Sequence, residues 1–248
     1  MRLFWFGHSC FLFEGEIDNI TVLIDPFSGI GLPAPEGIKP DIGLTTHSHF
    51  DHNAFGRIRC RKIYHEAKGR LDTAIPITGF ELSHDEMDGK KRGKITAYSI
   101  VIDGIRIIHL GDLGTTLGSE DIERLQNPDV LLVPVGGIFT LNGKTAVEVI
   151  KQLKPRIAIP MHYKVKGLLM DIDTVDMFLS EMEKSGLNTV IEKMNKNYIF
   201  LSLADMDTNT IKIMVLGEEF QPYKPIDSSI LRPETLAEPH PSETVNER

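Results

Sequence analysis

The sequence predicts an α/β fold whose strands deliver polar loops to one cleft, and three observations predict it. Apolar runs of strand length alternate with amphipathic helical stretches through the second half of the chain. A pattern of proline, polar residue and apolar run recurs as PDIGLTT (40–46), PDVLLVP (128–134) and, more loosely, PRIAIPM (155–161). Each copy runs into a loop of special residues: HSHFDH, GGIFT and HY. A second echo pairs IDNITVLIDP with IDGIRIIHLGD, so two similar half-units are expected to face a shared cleft.

The elements follow in order. LFWFGHSCFLFE (3–14) and ITVLIDPF (20–27) read as two strands separated by the turn-like GEIDN. DIGLTT (41–46) is a short apolar strand. KITAYSIVIDGIRIIHLGD (94–112) reads as a hairpin folded at Asp103-Gly104, a dipeptide suited to a tight turn. Ser119 is placed to cap a helix through Leu125, with Glu120 and Asp121 in its acidic first turn. VLLVPV (130–135) and RIAIP (156–160) are strands of the fully buried type. Between them Thr145 and Glu148 form a capping box for a helix carrying Val149, Ile150 and Leu153, which Pro155 ends. Asp173 opens a third helix, with Val175, Phe178, Leu179 and Met182 on one face and Gly186 as its stop. NTVIEK (188–193), NYIFLSL (197–203) and NTIKIMVL (209–216) return to strand. One domain is expected over 1–216. Residues 217–248 read as a proline-rich tail that partly drapes it, with His240 exposed there.

Composition narrows the function. A formal net charge of −8 over 248 residues argues against a nucleic-acid surface, which needs a basic face. The two basic runs, RIRCRK (57–62) and KKRG (90–93), read as solvated loops or hairpin turns. Cys10 and Cys60 make no CxxC pair, so neither a disulfide framework nor a thiolate zinc site is expected. The apolar N-terminus is interrupted by His8 and Glu14, too early for a signal peptide or a membrane span, so a cytoplasmic protein with no membrane partner is expected.

The chemistry concentrates in THSHFDH (46–52). Three of the nine histidines and one aspartate, namely His47, His49, Asp51 and His52, fall within six positions after a strand. His47 and His49, two apart on an extended backbone, can point to the same side. Crowding such groups without a cation would leave costly unpaired polar atoms. Imidazole with carboxylate suits Zn, Fe, Mn or Ni. One ion with these four ligands would be closed, whereas a catalytic site needs an open position or more ligands. His84 in LSHDE, Asp112 in HLGD and His162 in PMHY also follow apolar runs. The enlarged set suits two divalent ions with one aspartate bridging. His65 and His109 are rivals of His84. His109 is expected to pack in the core, and His65 to start a helix or loop.

These residues resemble the metallo-β-lactamase superfamily. The resemblance rests on HxHxDH after a short strand, a later lone histidine, a strand-end Gly-Asp, a final Pro-x-His-Tyr, and the preceding GHSCF and IDPF. Within the superfamily the chain is most similar to the single-domain metal-dependent hydrolases related to ascorbate-6-phosphate lactonase, over about residues 1–165. The resemblance implies a four-layer αββα sandwich with a dinuclear site along one edge of the paired sheets. It implies that His47, His49 and His84 bind one metal, that Asp51, His52 and His162 bind the other, and that Asp112 bridges. Asp25 is expected to support a ligand histidine from behind. His8 is expected to look into the site, stabilising an oxyanion or donating a proton. The GGIFT loop (136–140) and Lys164 or Lys166 are candidates for shaping a pocket.

The expected activity is hydrolysis by a metal-bridging hydroxide of an ester, lactone or similar carbonyl substrate, with Asp51 orienting it or accepting its proton. Two cations are expected, zinc first and Mn, Fe or Ni as alternatives. The expected partner is a small, anionic molecule, and a homo-oligomer is left open. Two other functions stay open: a phosphodiesterase acting on nucleotides or RNA, and a non-hydrolytic metal-binding or redox sensor.

Overall fold

The computed structural model describes residues 1–206 and 209–225. The chain begins with strands β1 (Arg2–Gly7), β2 (Cys10–Glu14), β3 (Thr21–Ile24), β4 (Ile42–Thr45) and β5 (Lys62–His65). It continues through β6 (Gly69–Arg70), β7 (Ile77–Ser83), β8 (Lys94–Ile102) and β9 (Ile105–His109). Helices then alternate with strands: α1 (Ser119–Leu125), β10 (Val130–Pro134), α2 (Gly143–Leu153), β11 (Ile157–Met161) and α3 (Val175–Lys184). The last strands are β12 (Thr189–Lys193), β13 (Tyr198–Phe200) and β14 (Ile211–Val215).

Two mixed sheets result, giving the expected α/β class. One has the order β13-β1-β2-β3-β4-β5, antiparallel up to β3 and parallel from β3 to β5. The other has the order β12-β14-β11-β10-β9-β8-β7-β6. Its β12-to-β9 side is parallel and its β9-to-β6 side antiparallel. The sheets face each other: the Trp5 ring lies 5.4 Å from Tyr163, and Phe11 lies 5.8 Å from His109. At the rim Thr96 N–H donates to Thr46 O at 2.8 Å. Every residue of β10 and β11 is buried, as continuous apolar strands covered on both faces must be. Helix α2 turns Ala146, Val147, Val149, Ile150 and Leu153 inward and packs with Gly143 against the backbone of Phe178 in α3. Among the described residues no helix is long and apolar enough to cross a membrane.

Several elements differ from the sequence expectation. Residues 3–14 form a hairpin, not one strand, turning at His8-Ser9. Gly7 (φ +101°) and His8 (φ +53°) adopt left-handed backbone there, a turn that the apolar pattern on both sides conceals. Strand β5 occupies residues read as a loop, so His65 ends a strand rather than starting a helix or loop. The hairpin at Asp103-Gly104 forms as expected, with φ of +51° and +78°. Helix starts shift by one to three residues. Ser119 is the first helical residue of α1, behind Gly118. Thr174, not Asp173, precedes α3. The cap of α2 is Asn142, whose side chain accepts from Thr145 N–H at 3.0 Å.

Residues 217–225 lie against β1. Phe220 meets Trp5 edge-on at 5.5 Å, Tyr223 packs on Phe4 at 5.8 Å and donates its hydroxyl to Glu14 at 2.7 Å. The rest of the tail, His240 included, lies outside the described residues.

Asn142→Ala should lower unfolding stability by about 1 kcal/mol in urea titration, the usual value of a side-chain cap. A larger loss in Thr145→Ala would return the cap to the threonine.

Candidate metal centre

Six chain segments bring their ends to one rim. Strand β4 ends just before Thr46 and His47, β7 before His84, β9 three residues before Asp112, and β11 before His162. Strand β3 ends before Asp25, and the β1–β2 turn presents His8. Three of these residues sit on left-handed backbone: His8 (φ +53°), Asp25 (φ +48°) and His162 (φ +52°). Non-glycine residues in that region cost free energy and persist where surrounding contacts hold them, often at functional sites. Gly111 also has positive φ (+52°), and a Cβ there would press on the Thr46 side chain at 2.9 Å. A Cβ at Gly136 would collide with the His162 carbonyl oxygen.

The side chains gather into three overlapping sets of potential ligand atoms, each set mutually within 4.8 Å: His47, His49 and His84; His8, Asp51, His52 and His162; and His47, His52 and Asp112. Asp112 Oδ2 lies 3.2 Å from His162 Nε2, 3.3 Å from His52 Nε2, 3.6 Å from His84 Nε2 and 3.9 Å from His47 Nε2. Asp51 Oδ2 lies 3.1 Å from His8 Nε2 and 3.7 Å from His52 Nε2. All are buried except His49.

A second layer aims the rings. Asp25, fully buried, accepts from Thr46 N–H and Thr46 Oγ1–H, both at 2.7 Å, and from His52 Nδ1–H at 3.0 Å. With its hydroxyl proton committed to Asp25, Thr46 Oγ1 accepts from His47 Nδ1–H at 3.0 Å. Both rings thereby spend their Nδ1–H on the second layer and turn Nε2 to the cluster, the arrangement that supports metal ligation. Thr46 is a positioning residue that sequence reasoning passed over, although it stands first in THSHFDH.

Electrostatics follow from burial. Burial lowers the His47 imidazole to about 3, helped by the charge of His52. Burial and then His162 lower His8 to about 4. Burial alone would lower His52 too, but Asp112 and Asp25 outweigh it and raise the group well above the ordinary histidine range. Burial would raise the Asp112 carboxyl, but His162 and His52 hold it well below the usual carboxylate range.

The donor set fits a metal. His47 Nε2, His52 Nε2, His162 Nε2 and Asp112 Oδ1 are buried without a hydrogen-bond partner among the described residues. Such atoms are costly unless something ligates them. The chemistry, imidazole and carboxylate without thiolate, is that of Zn, Mn, Fe or Ni sites.

Other candidates fall elsewhere. His109 donates from Nε2 to Ser9 O at 2.9 Å and accepts Gly111 N–H on Nδ1 at 3.1 Å, so both its nitrogens are spent in the core. His65 is exposed, with Thr45 Oγ1 at 3.4 Å from its Nδ1. Lys164 ties its own loop by donating to Leu168 O and Met170 O, and Lys166 is exposed. A cavity of about 330 Å³ opens on the cluster, lined by His49, Phe50, Asp51, His84, Arg92 and Asp112, with Phe139, His162 and Met170 completing it. Phe139 is the contribution of the GGIFT loop. Arg92 departs from the expectation for KKRG: it is half-buried and faces the cavity. A larger cavity of about 710 Å³, between residues 27–38 and 54–58, contains none of the cluster residues.

Comparison with known proteins places this geometry. A family model described as a β-lactamase superfamily domain matches residues 2–162. A protein of Methanopyrus kandleri named a metal-dependent hydrolase is 30% identical, over 77% of this chain and 95% of its own length. One of the same name from Archaeoglobus fulgidus is 31% identical, over 81% and 99%. The crystal structure of a Thermotoga maritima protein, assigned as a Zn-dependent hydrolase of the metallo-β-lactamase superfamily, superposes with a TM-score of 0.68 at 29% identity, covering 87% of this chain and 98% of that one.

The raised His52 predicts a pH signature in chelator-treated protein. Its charged form stabilises the fold fully below the unfolded value of about 6.5, and that contribution is lost as pH rises through the folded value. The lowered His8 and His47 favour stability at higher pH, but that gain is complete by about pH 7.5. Urea stability should therefore fall as pH rises above about 7.5, by up to roughly 1.4 kcal/mol per pH unit. A flat or rising profile would show that His52 is neutral.

Proposed function

The chain belongs to the metallo-β-lactamase superfamily, and on that premise we propose that it is a metal-dependent hydrolase holding two divalent cations, zinc foremost, and acting on an ester, lactone or similar carbonyl substrate. The observation that carries this reading is Asp112. One of its oxygens lies 3.2 to 3.9 Å from four imidazole nitrogens drawn from both halves of the cluster, and the other has no partner among the described residues. His47, His49 and His84 would hold one cation and Asp51, His52 and His162 the other, with Asp112 between them.

Bound divalent cations supply Lewis-acid polarisation of a substrate oxygen and a water whose pKa drops from roughly 15.7 towards about 7. The chain's own groups do the rest. Asp51 lines the cavity, and although burial would raise its carboxyl, the His8 hydrogen bond and His52 keep it well below the usual range. It is therefore a carboxylate at neutral pH, placed to take a proton from a nucleophilic water. His8, neutral at that pH, offers its Nε2–H to Asp51 Oδ2 at 3.1 Å and so holds the carboxylate in one orientation. A cavity of about 330 Å³ suits a small molecule, which supports the lactonase-like subgroup over a polymer substrate.

Elemental analysis should find about two metal equivalents per chain after reconstitution. Asp112→Ala should lose metal and cut turnover by more than the roughly 10–100-fold that a supporting partner alone is worth. Metal content that stays near zero, or a fully active variant, would remove the site. On a substrate panel, p-nitrophenyl acetate and lactones should turn over faster than bis-p-nitrophenyl phosphate. The reverse order selects the phosphodiesterase, and an iron-loaded protein with an optical band and no turnover selects the sensor.

A further inference from the structure

The loop between β7 and β8 is organised by one side chain. Asp85 is fully buried and its carboxylate accepts four backbone N–H groups: Met87 at 2.8 Å and Gly89 at 3.0 Å on Oδ1, Lys91 at 2.9 Å and Arg92 at 2.7 Å on Oδ2. The loop is closed at its base by His84 N–H donating to Gly93 O at 3.2 Å. Arg92 is thus held at a fixed offset from His84, a residue of the metal cluster. Its side chain is also oriented. Nη2 donates to Ile138 O at 2.9 Å, and the guanidinium carbon stands 5.5 Å from the centroid of the Phe139 ring.

What Arg92 lacks is a countercharge. Its neighbours are paired, Lys91 with Glu86 and Lys94 with Asp88, both on the surface. Arg92 forms no ion pair among the described residues, and it is the one lysine or arginine lining the metal-facing cavity. A guanidinium carries five N–H donors, and Ile138 O takes one, so most of the fork remains to be satisfied. Opposite the His/Asp cluster the lining is apolar and open: Phe50 is 71% exposed and Phe139 36% exposed, and Met170 also lines the cavity. Large apolar groups left open around a few oriented polar ones are the make-up of a ligand pocket.

We propose that Arg92 recognises an oxyanionic group, a carboxylate or phosphate, on a small substrate whose apolar body lies against Phe50, Phe139 and Met170. The inference rests on the hydrolase reading for where the reacting bond sits. The planar fork of arginine matches both oxyanions with two parallel hydrogen bonds, which a lysine cannot do. Cations in the cluster would attract the same anion, so the test must separate the two sources of positive charge.

The test is calorimetric titration of the full chain, metal-loaded and chelator-treated, with benzoate, phenylphosphonate and neutral benzyl alcohol. Arg92→Ala should lower the anion-to-alcohol affinity ratio by about 10- to 100-fold, the loss expected for a charge-assisted hydrogen bond. Arg92→Lys should restore only part of it, with the thermal midpoint of both variants at the wild-type value. A preference for benzoate identifies a carboxylate, and for phenylphosphonate a phosphate. An unchanged ratio in Arg92→Ala overturns the proposal, as does a wild type that prefers neither anion over the alcohol. Anion binding that disappears with the metal but ignores Arg92 assigns the anion to the cations, overturning the role of Arg92 and leaving the hydrolase reading intact. A chain that takes up no metal ends the hydrolase reading instead, and the ratio in chelator-treated protein still decides the role of Arg92.

Discussion

Asp25 has no exposed surface, and its two oxygens collect hydrogen bonds from the Thr46 amide, the Thr46 hydroxyl and His52 Nδ1. This one carboxylate ties the end of β3 to the end of β4 and fixes the tautomer of His52 directly. Through the Thr46 hydroxyl it also fixes His47. A buried carboxylate is tolerable only when its lone pairs are matched by donors of this kind. Burial opposes its ionisation, and the neighbouring His52 reverses that and holds it below the usual carboxylate range. Without Asp25 two rings would be free to turn, and the geometry around Asp112 would blur with them.

The same arrangement explains why the cluster and the fold are interdependent. Six imidazoles and two carboxylates crowd a rim whose backbone is already left-handed at His8 and His162. With no cation, the carboxylates draw a proton onto His52, while burial drives protons off His8 and His47. The proton is a poor substitute, since it serves one nitrogen and leaves His47 Nε2 and His162 Nε2 without partners. Metal uptake therefore competes with a proton at His52 but finds His47 and His84 held neutral by burial, so binding and folding stability share one free-energy term.

The gathering of these residues was legible because they follow apolar runs, and a strand end is where an extended chain can release a side chain into a cleft. His47, His49, Asp51, His52, His84, Asp112 and His162 all carry that local mark. What was hidden depends on contacts that sequence periodicity does not encode. The turn at His8 lies inside a run whose apolar, buried character continues through both hairpin strands. The role of Thr46 arises only when β3 and β4 pair side by side. Arg92 sits in a basic run that composition alone assigns to solvent, and contacts distant in sequence hold it at the cavity: the carboxylate of Asp85, seven residues earlier, on its backbone and Ile138 O on its side chain. The cap at Asn142 was displaced to Thr145 because both residues accept or donate in the same turn, and only the backbone decides between them.

The walls of the cavity are built from the loops that supply its floor. Phe50 lies between His49 and Asp51, Arg92 closes the loop that His84 opens, and Phe139 follows the Gly136 that packs on the His162 backbone. A side chain of the cavity wall is thus never more than a short stretch of chain from one in the His/Asp cluster. Such coupling constrains how specificity can change. A substitution in the wall that bends its loop also moves a cluster residue, whereas one that alters only the tip of Phe50, Arg92 or Phe139 leaves the backbone in place. Variation in what the cavity accepts is therefore expected at those three side chains, with Thr46, Asp85 and Gly136 holding the frame against which they vary.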